Sequence, residues 1–136
     1  MSDVPPRQTG PPYLIAGLLC KDVIPTDDGT SIDSLLSLVR TLDLDAPGAE
    51  RLLTIYFSFS NATLADTIHA QAFCISPSGQ ATSLIDELVP PDSPYTTIVL
   101  PKAAPMRFHE SGAHVLAFAL NGTVVSRYVF TVTFSG

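Results

Sequence analysis

The sequence predicts an all-β domain, a two-sheet antiparallel β-sandwich, and three observations carry that reading. RLLTIYFSFS alternates apolar and polar residues with a period of two. The segment from Gly112 to Phe134 reads as one long hairpin, and turn-forming clusters recur about every ten residues. That spacing suits roughly seven or eight short strands rather than alternating strands and helices.

The chain of 136 residues fits one domain, which we place at residues 13–136. Apolar residues make up 46% and charged residues 15%, too apolar a balance for a disordered chain. Seven Lys+Arg stand against thirteen Asp+Glu, for a net charge of −6, and the basic residues are scattered singly. Nucleic acid and anionic membranes are therefore not expected as partners. The longest apolar run, Tyr13 to Cys20, is far short of a membrane span. With no apolar leader in MSDVPPRQTGPP, the expected compartment is the cytoplasm.

Residues 1–12, with four prolines and one glycine, read as a flexible tail. YLIAGLLCKDVI follows as a strand apolar on both faces, ended by the turn Pro25-Thr26-Asp27-Asp28-Gly29. Residues 31–42 fit two patterns. Ile32, Leu35, Leu36, Val39 and Leu42 form a helical stripe, while Ile32, Leu36, Leu38 and Leu42 also alternate; we favour a strand, with a short helix left open. After the loop at Pro47-Gly48, Leu53, Ile55, Phe57 and Phe59 define a core-facing strand edge. In TIHAQAFCI, Ile68, Ala70, Ala72 and Cys74 face inward. Residues 84–94, with Asp86, Glu87, Asp92 and three prolines, read as a surface loop. A short strand YTTIVL, a connection PKAAP and a brief edge strand from Met106 to His109 follow.

In the last hairpin, Asn121-Gly122 suggests a two-residue type I′ loop. That register would put Leu116 and Phe118 opposite in facing to Tyr128 and Phe130. A three-residue loop with Gly122 as a bulge restores agreement, placing Leu116, Phe118, Val124, Tyr128, Phe130, Val132 and Phe134 on one face. We therefore expect the bulged loop. Ala117, Ala119, Val125 and Val129 then lie outside as candidate interface residues.

The residue patterns argue against catalysis. No GxSxG elbow presents a serine, and His69, His109 and His114 fall at a wet strand face, a strand end and a hairpin start. His109-Glu110 and His114 are spaced five apart across Ser111-Gly112, so they cannot share a helical face as a zincin pair does. His114 reads instead as a hydrogen-bonded residue at the core rim. Asp27, Asp28 and Asp33 are weak calcium candidates, without the spacing of an EF-hand loop, and turn formation explains them better. No cofactor is expected. Asn61-Ala62-Thr63 and Asn121-Gly122-Thr123 are formal glycosylation sequons that we read as turn chemistry.

Cys20 and Cys74 are 54 positions apart, a spacing that suits the inter-sheet bridge of an immunoglobulin domain. The chain has no Trp, and Ala72 stands where that fold places a tyrosine. The expected architecture is therefore immunoglobulin-like in general plan, with two buried free thiols.

LLCKDVIPTDDGTSID and FHESGAHVLAFALNGTVVSRYVFTV carry a resemblance. A strand ending in Cys-x-Asp, an acidic Gly turn, and a Phe-x-x-x-Gly hairpin closing on Asn-Gly resemble an uncharacterised family of small bacterial intracellular β-sandwich proteins. His114 departs from the aromatic residue usual there. The resemblance implies a sandwich with no assigned activity and transfers no functional residues. The function expected is a non-enzymatic interaction module with a protein partner or a second copy, working through a sheet edge or the hairpin face. A small-ligand or calcium-binding sandwich and an extracellular adhesion-type domain are the alternatives.

Overall fold

β4 (Glu50–Ser60) organises one half of the fold because its alternation is strict: Leu53, Ile55, Phe57 and Phe59 are all fully buried. The structure, a computed structural model, describes residues 13–25, 32–60, 67–90 and 97–135. In it β4 is flanked by β1 (Tyr13–Pro25) and β7 (Thr97–Arg107), and β2 (Ile32–Leu38) extends the sheet in the order β2-β1-β4-β7. The second sheet runs β3-β9-β8-β5-β6, from β3 (Thr41–Leu44), β9 (Thr123–Phe134), β8 (Gly112–Leu120), β5 (Ile68–Ile75) and β6 (Ala81–Val89). All pairings are antiparallel except β3 with β9, which is parallel. The described chain is thus all-β, in two packed sheets.

One sheet sets β1, β4 and β7 side by side; the other has β9, β8, β5 and β6 in that order. These are the strand orders of the immunoglobulin-like sandwich, with β2 and β3 inserted between its first and second strands. Between the sheets, Phe57 packs edge-on against Phe59 and Phe118, with ring centroids 5.1 and 4.9 Å apart. Gly17, opposite Phe57 in the β1–β4 register, is where the Phe118 ring fits: a Cβ there would lie 2.6 Å from it.

The chain changes sheets at Val39-Arg40. Val39 N donates to Leu19 O at 2.8 Å on the first sheet, and the buried Tyr128 hydroxyl donates to Val39 O at 2.6 Å from the second. Thr131 N donates to Arg40 O at 2.9 Å, so the crossover leaves neither carbonyl unpaired.

Several expectations need correction. The helix left open over 31–42 is not formed: β2 and β3 occupy that stretch, since β1 and β9 each offer a strand edge that satisfies its backbone. The loop expected over 84–94 is largely β6, where Ile85 alone is fully buried and supplies the inward anchor while Asp86 and Glu87 stay exposed. PKAAP is strand rather than connection, and Met106 continues it. β7 is an edge strand, where the missing N–H groups of Pro101 and Pro105 cost no ladder bond.

The last hairpin is closed by the two-residue loop, with φ of 51° at Asn121 and 82° at Gly122, as type I′ requires. The parity correction sits in the strand instead. Phe118 pairs with Ser126 and Ala119 with Val124, so Val125 is the extra residue of a bulge. Leu116, Phe118, Tyr128, Phe130 and Val132 do share the buried face, but Val124 is exposed. The Pro-rich segment 1–12 lies outside the described residues.

Candidate functional site

At one end of the sandwich β7 runs out into Phe108-His109-Glu110, and the chain re-enters the second sheet at Gly112 with φ of 117°. Gly48 N donates to Phe108 O at 2.7 Å and Phe108 N to Ala49 O at 3.2 Å, which fixes this bend against the β3–β4 connection. Facing it is the turn between β5 and β6. Gly79 N donates to Ser76 O at 2.8 Å, and Ser76 N to Gln80 O at 2.9 Å. Ser78 Oγ reaches across the gap to donate to Glu110 Oε2 at 2.7 Å.

The two segments enclose a cleft of about 400 Å³, within the range of small-molecule sites. Cys74, Leu84, Met106 and Phe108 give it apolar wall, and Arg107, His109, Glu110 and His114 give it polar groups. Arg107 is engaged by Glu50 at 3.1 Å. Burial pushes the Cys74 thiol up to about 11, so at neutral pH it is a neutral S–H and no nucleophile. Hydrogen bonds from Ser78 and Ser76 hold the Glu110 carboxyl below its usual range.

His114 is 3% exposed. Its ring stacks on Phe130 at 5.5 Å and meets the edge of Phe108 at 5.3 Å. Nδ1 donates to Gly112 O at 3.1 Å, which in the neutral ring assigns the proton to Nδ1 and leaves Nε2 as an acceptor. Among the described residues nothing pairs with Nε2. A buried polar atom without a partner inside a cleft wall is the feature of this end that packing does not explain.

The expected site residues fall elsewhere. Asp27 and Asp28 lie outside the described residues, as does Asn61, and Asp33 is placed in β2. Among the described residues no three His, Cys, Asp or Glu side chains converge on a metal-sized position. His69 pairs with Asp86 on the outer face of the second sheet. On that same face Ala117 and Ala119 are only 2% exposed, between cross-strand neighbours Arg127 and Phe73 and Val124 and Gln71. Val129, at 54%, and Val125 are exposed. Both thiols are buried and no disulfide joins them, and the register explains why they do not meet. Cys20 pairs with Thr54, whose neighbours Leu53 and Ile55 face the core, so Cys20 points away from the interior that Cys74 enters. Sequence reasoning reached His114 and Cys74 but missed Glu110, Met106 and Leu84 as companions. The signal was a histidine at the inward parity of Leu116 and Phe118.

The fold is similar to that of solved structures. The Pseudomonas fluorescens alkylpurine DNA glycosylase AlkC, bound to DNA containing an abasic site analog, is similar with a TM-score of 0.53 and 11% identity. The match covers 90% of this chain and 30% of that chain, so this chain spans under a third of the glycosylase's length. An immunoglobulin-like protein from Pseudomonas aeruginosa is similar with a TM-score of 0.47 and 14% identity, over 91% of this chain and 98% of that one. No family model and no curated protein matches the chain. The shared property is the fold.

The first likeness corrects the expected partners. A chain containing this fold is seen on DNA, so exclusion of nucleic acid from a net charge of −6 does not stand. A whole-chain charge count measures long-range attraction to phosphates; it is blind to a local contact surface or to a neighbouring domain. The assignment of a protein partner or a second copy falls with that exclusion, and the partners are not established. Among the described residues no helix is long and apolar enough to cross a membrane.

Proposed function

We propose that the protein is a non-enzymatic small-ligand-binding domain whose site is the cleft between the β5–β6 turn and residues 105–114. One observation carries this reading: buried His114 forms part of the cleft wall with its Nε2 acceptor unmatched among the described residues. A ligand donor would satisfy that atom, and the apolar wall of Leu84, Met106 and Phe108 would take the rest of a small molecule. The hairpin face has less support, because Ala117 and Ala119 offer almost no surface. The absence of catalysis is supported by a protonated Cys74 and by the position of His69 on the opposite end of β5. Two buried cysteines that no disulfide joins support a reducing cytoplasm as the compartment.

A chemically mixed fragment library, followed by amide NMR shifts, tests the proposal. At least one fragment is expected to move the Cys74, Glu110 and His114 amides together. If no fragment moves that set, or if all shifts fall on other surfaces, the proposal is wrong.

A further inference from the structure

Resting on the reading of the cleft as a ligand site, we propose that its ligand is a small primary alkylammonium ion, bound through its N–H groups to His114 Nε2 and the Glu110 carboxylate.

The polar groups sort by what they can still offer. Arg107, the one permanent cation in the wall, is already engaged by Glu50. The Cys74 thiol is neutral. Beside the neutral Gln80 and Thr82 side chains of the wall, what remains at the His114 end is acceptor capacity. Nε2 of the neutral ring has a lone pair and no protein partner among the described residues. Glu110 receives one Ser78 hydroxyl at 2.7 Å, and a carboxylate accepts several hydrogen bonds. The serines do a second thing: Ser76 and Ser78, 3.0 Å apart, brace the carboxylate at the cleft mouth and keep it ionised.

An ammonium group carries three donors and one positive charge, and so matches two acceptors of which one is anionic. A hydroxyl has one donor and brings no charge of its own to Glu110. A carboxylate would meet Glu110 with like charge. Leu84, Met106 and Phe108 line the space for a short alkyl stem. The surplus of acidic residues across the chain, six in net charge, favours the approach of a cation.

The test compares three probes of one size, n-butylamine, 1-butanol and butyrate, by NMR titration of the full chain at constant ionic strength. Butylamine alone is expected to saturate the Cys74, Glu110 and His114 amides. Glu110→Gln keeps the shape of a side chain outside the core and is expected to weaken butylamine about tenfold, the loss of one charge-assisted hydrogen bond. His114→Phe, which keeps ring packing on Phe130, is expected to do the same. Equal saturation by butanol or butyrate overturns the amine assignment while leaving a ligand site in place. Failure of all three at tens of millimolar overturns the amine assignment, and the fragment screen then decides the cleft itself. Butylamine binding that Glu110→Gln leaves unchanged overturns it too.

Discussion

Gly17 and the Phe118 ring share one space: a Cβ on Gly17 would fall 2.6 to 2.9 Å from three atoms of that ring. The contact joins the two sheets, because Gly17 belongs to β1 and Phe118 to β8. Gly17→Ala is therefore expected to overpack the interior and destabilise the fold by about 1–3 kcal/mol. Urea denaturation gives the value. A Phe118→Leu change should recover part of the loss in the double variant, and strict additivity of the two changes would show that they do not share this space.

Tyr128 and Val39 make the second link between sheets. Removing the hydroxyl with Tyr128→Phe leaves the Val39 carbonyl short of a 2.6 Å bond in a buried place. The expected cost is about 1–3 kcal/mol. Hydrogen exchange at Leu42 and Leu44 should quicken in the variant more than exchange in β5, since the lost bond holds the crossover that leads into β3. Uniform change across both strands would contradict this.

Cys74 sets an alkaline limit. Its thiol stands at about 11 in the fold against a usual 9.0, so the native state favours the protonated form. Stability from this group is complete below pH 9.0 and is lost as pH rises toward about 11. Two units correspond to about 3 kcal/mol. The stability gap between wild type and Cys74→Ala should accordingly shrink across that window in denaturant titrations at stepped pH. A constant gap would falsify the assignment.

Gly122 holds a φ of 82° in the type I′ loop. Gly122→Ala is expected to cost about 1–2 kcal/mol, the left-handed penalty of a side chain. Asn121→Gly should keep the turn yet lose the acceptor for His69 N–H, a 2.9 Å bond to Oδ1. Its cost should be about 1 kcal/mol by thermal or chemical unfolding. If Gly122→Ala is silent, the turn has another conformation.

Much of the sandwich was legible because burial imposes period two. Leu53, Ile55, Phe57 and Phe59 announce β4, and the even residues from Ile68 to Cys74 announce β5, through alternation alone. Edge strands were not, and the reason is physical: β6 and β7 need only one satisfied flank, so they admit Asp86, Glu87, Pro101 and Pro105, residues that otherwise mark loops. The hairpin shows a different limit. Parity correctly demanded an extra residue between Phe118 and Tyr128, but it does not say where along the strand the extra residue goes; the turn took none and Val125 took it. The cleft was half visible. A histidine among inward leucines and phenylalanines is a local signal, whereas the approach of Ser78 to Glu110 joins residues 32 positions apart and leaves no local trace.

The parallel pairing of β3 with β9 orders events in time. β3 is made well before its partner β9; the Tyr128–Val39 bond spans 89 residues. Until β9 emerges, Leu42 and Leu44 lack the strand they pair with, and closing so wide a loop is among the slower steps a small domain can require. A chain in which β9 has not yet formed therefore carries an unclosed seam at β3, and β9 works as the latch that seals it.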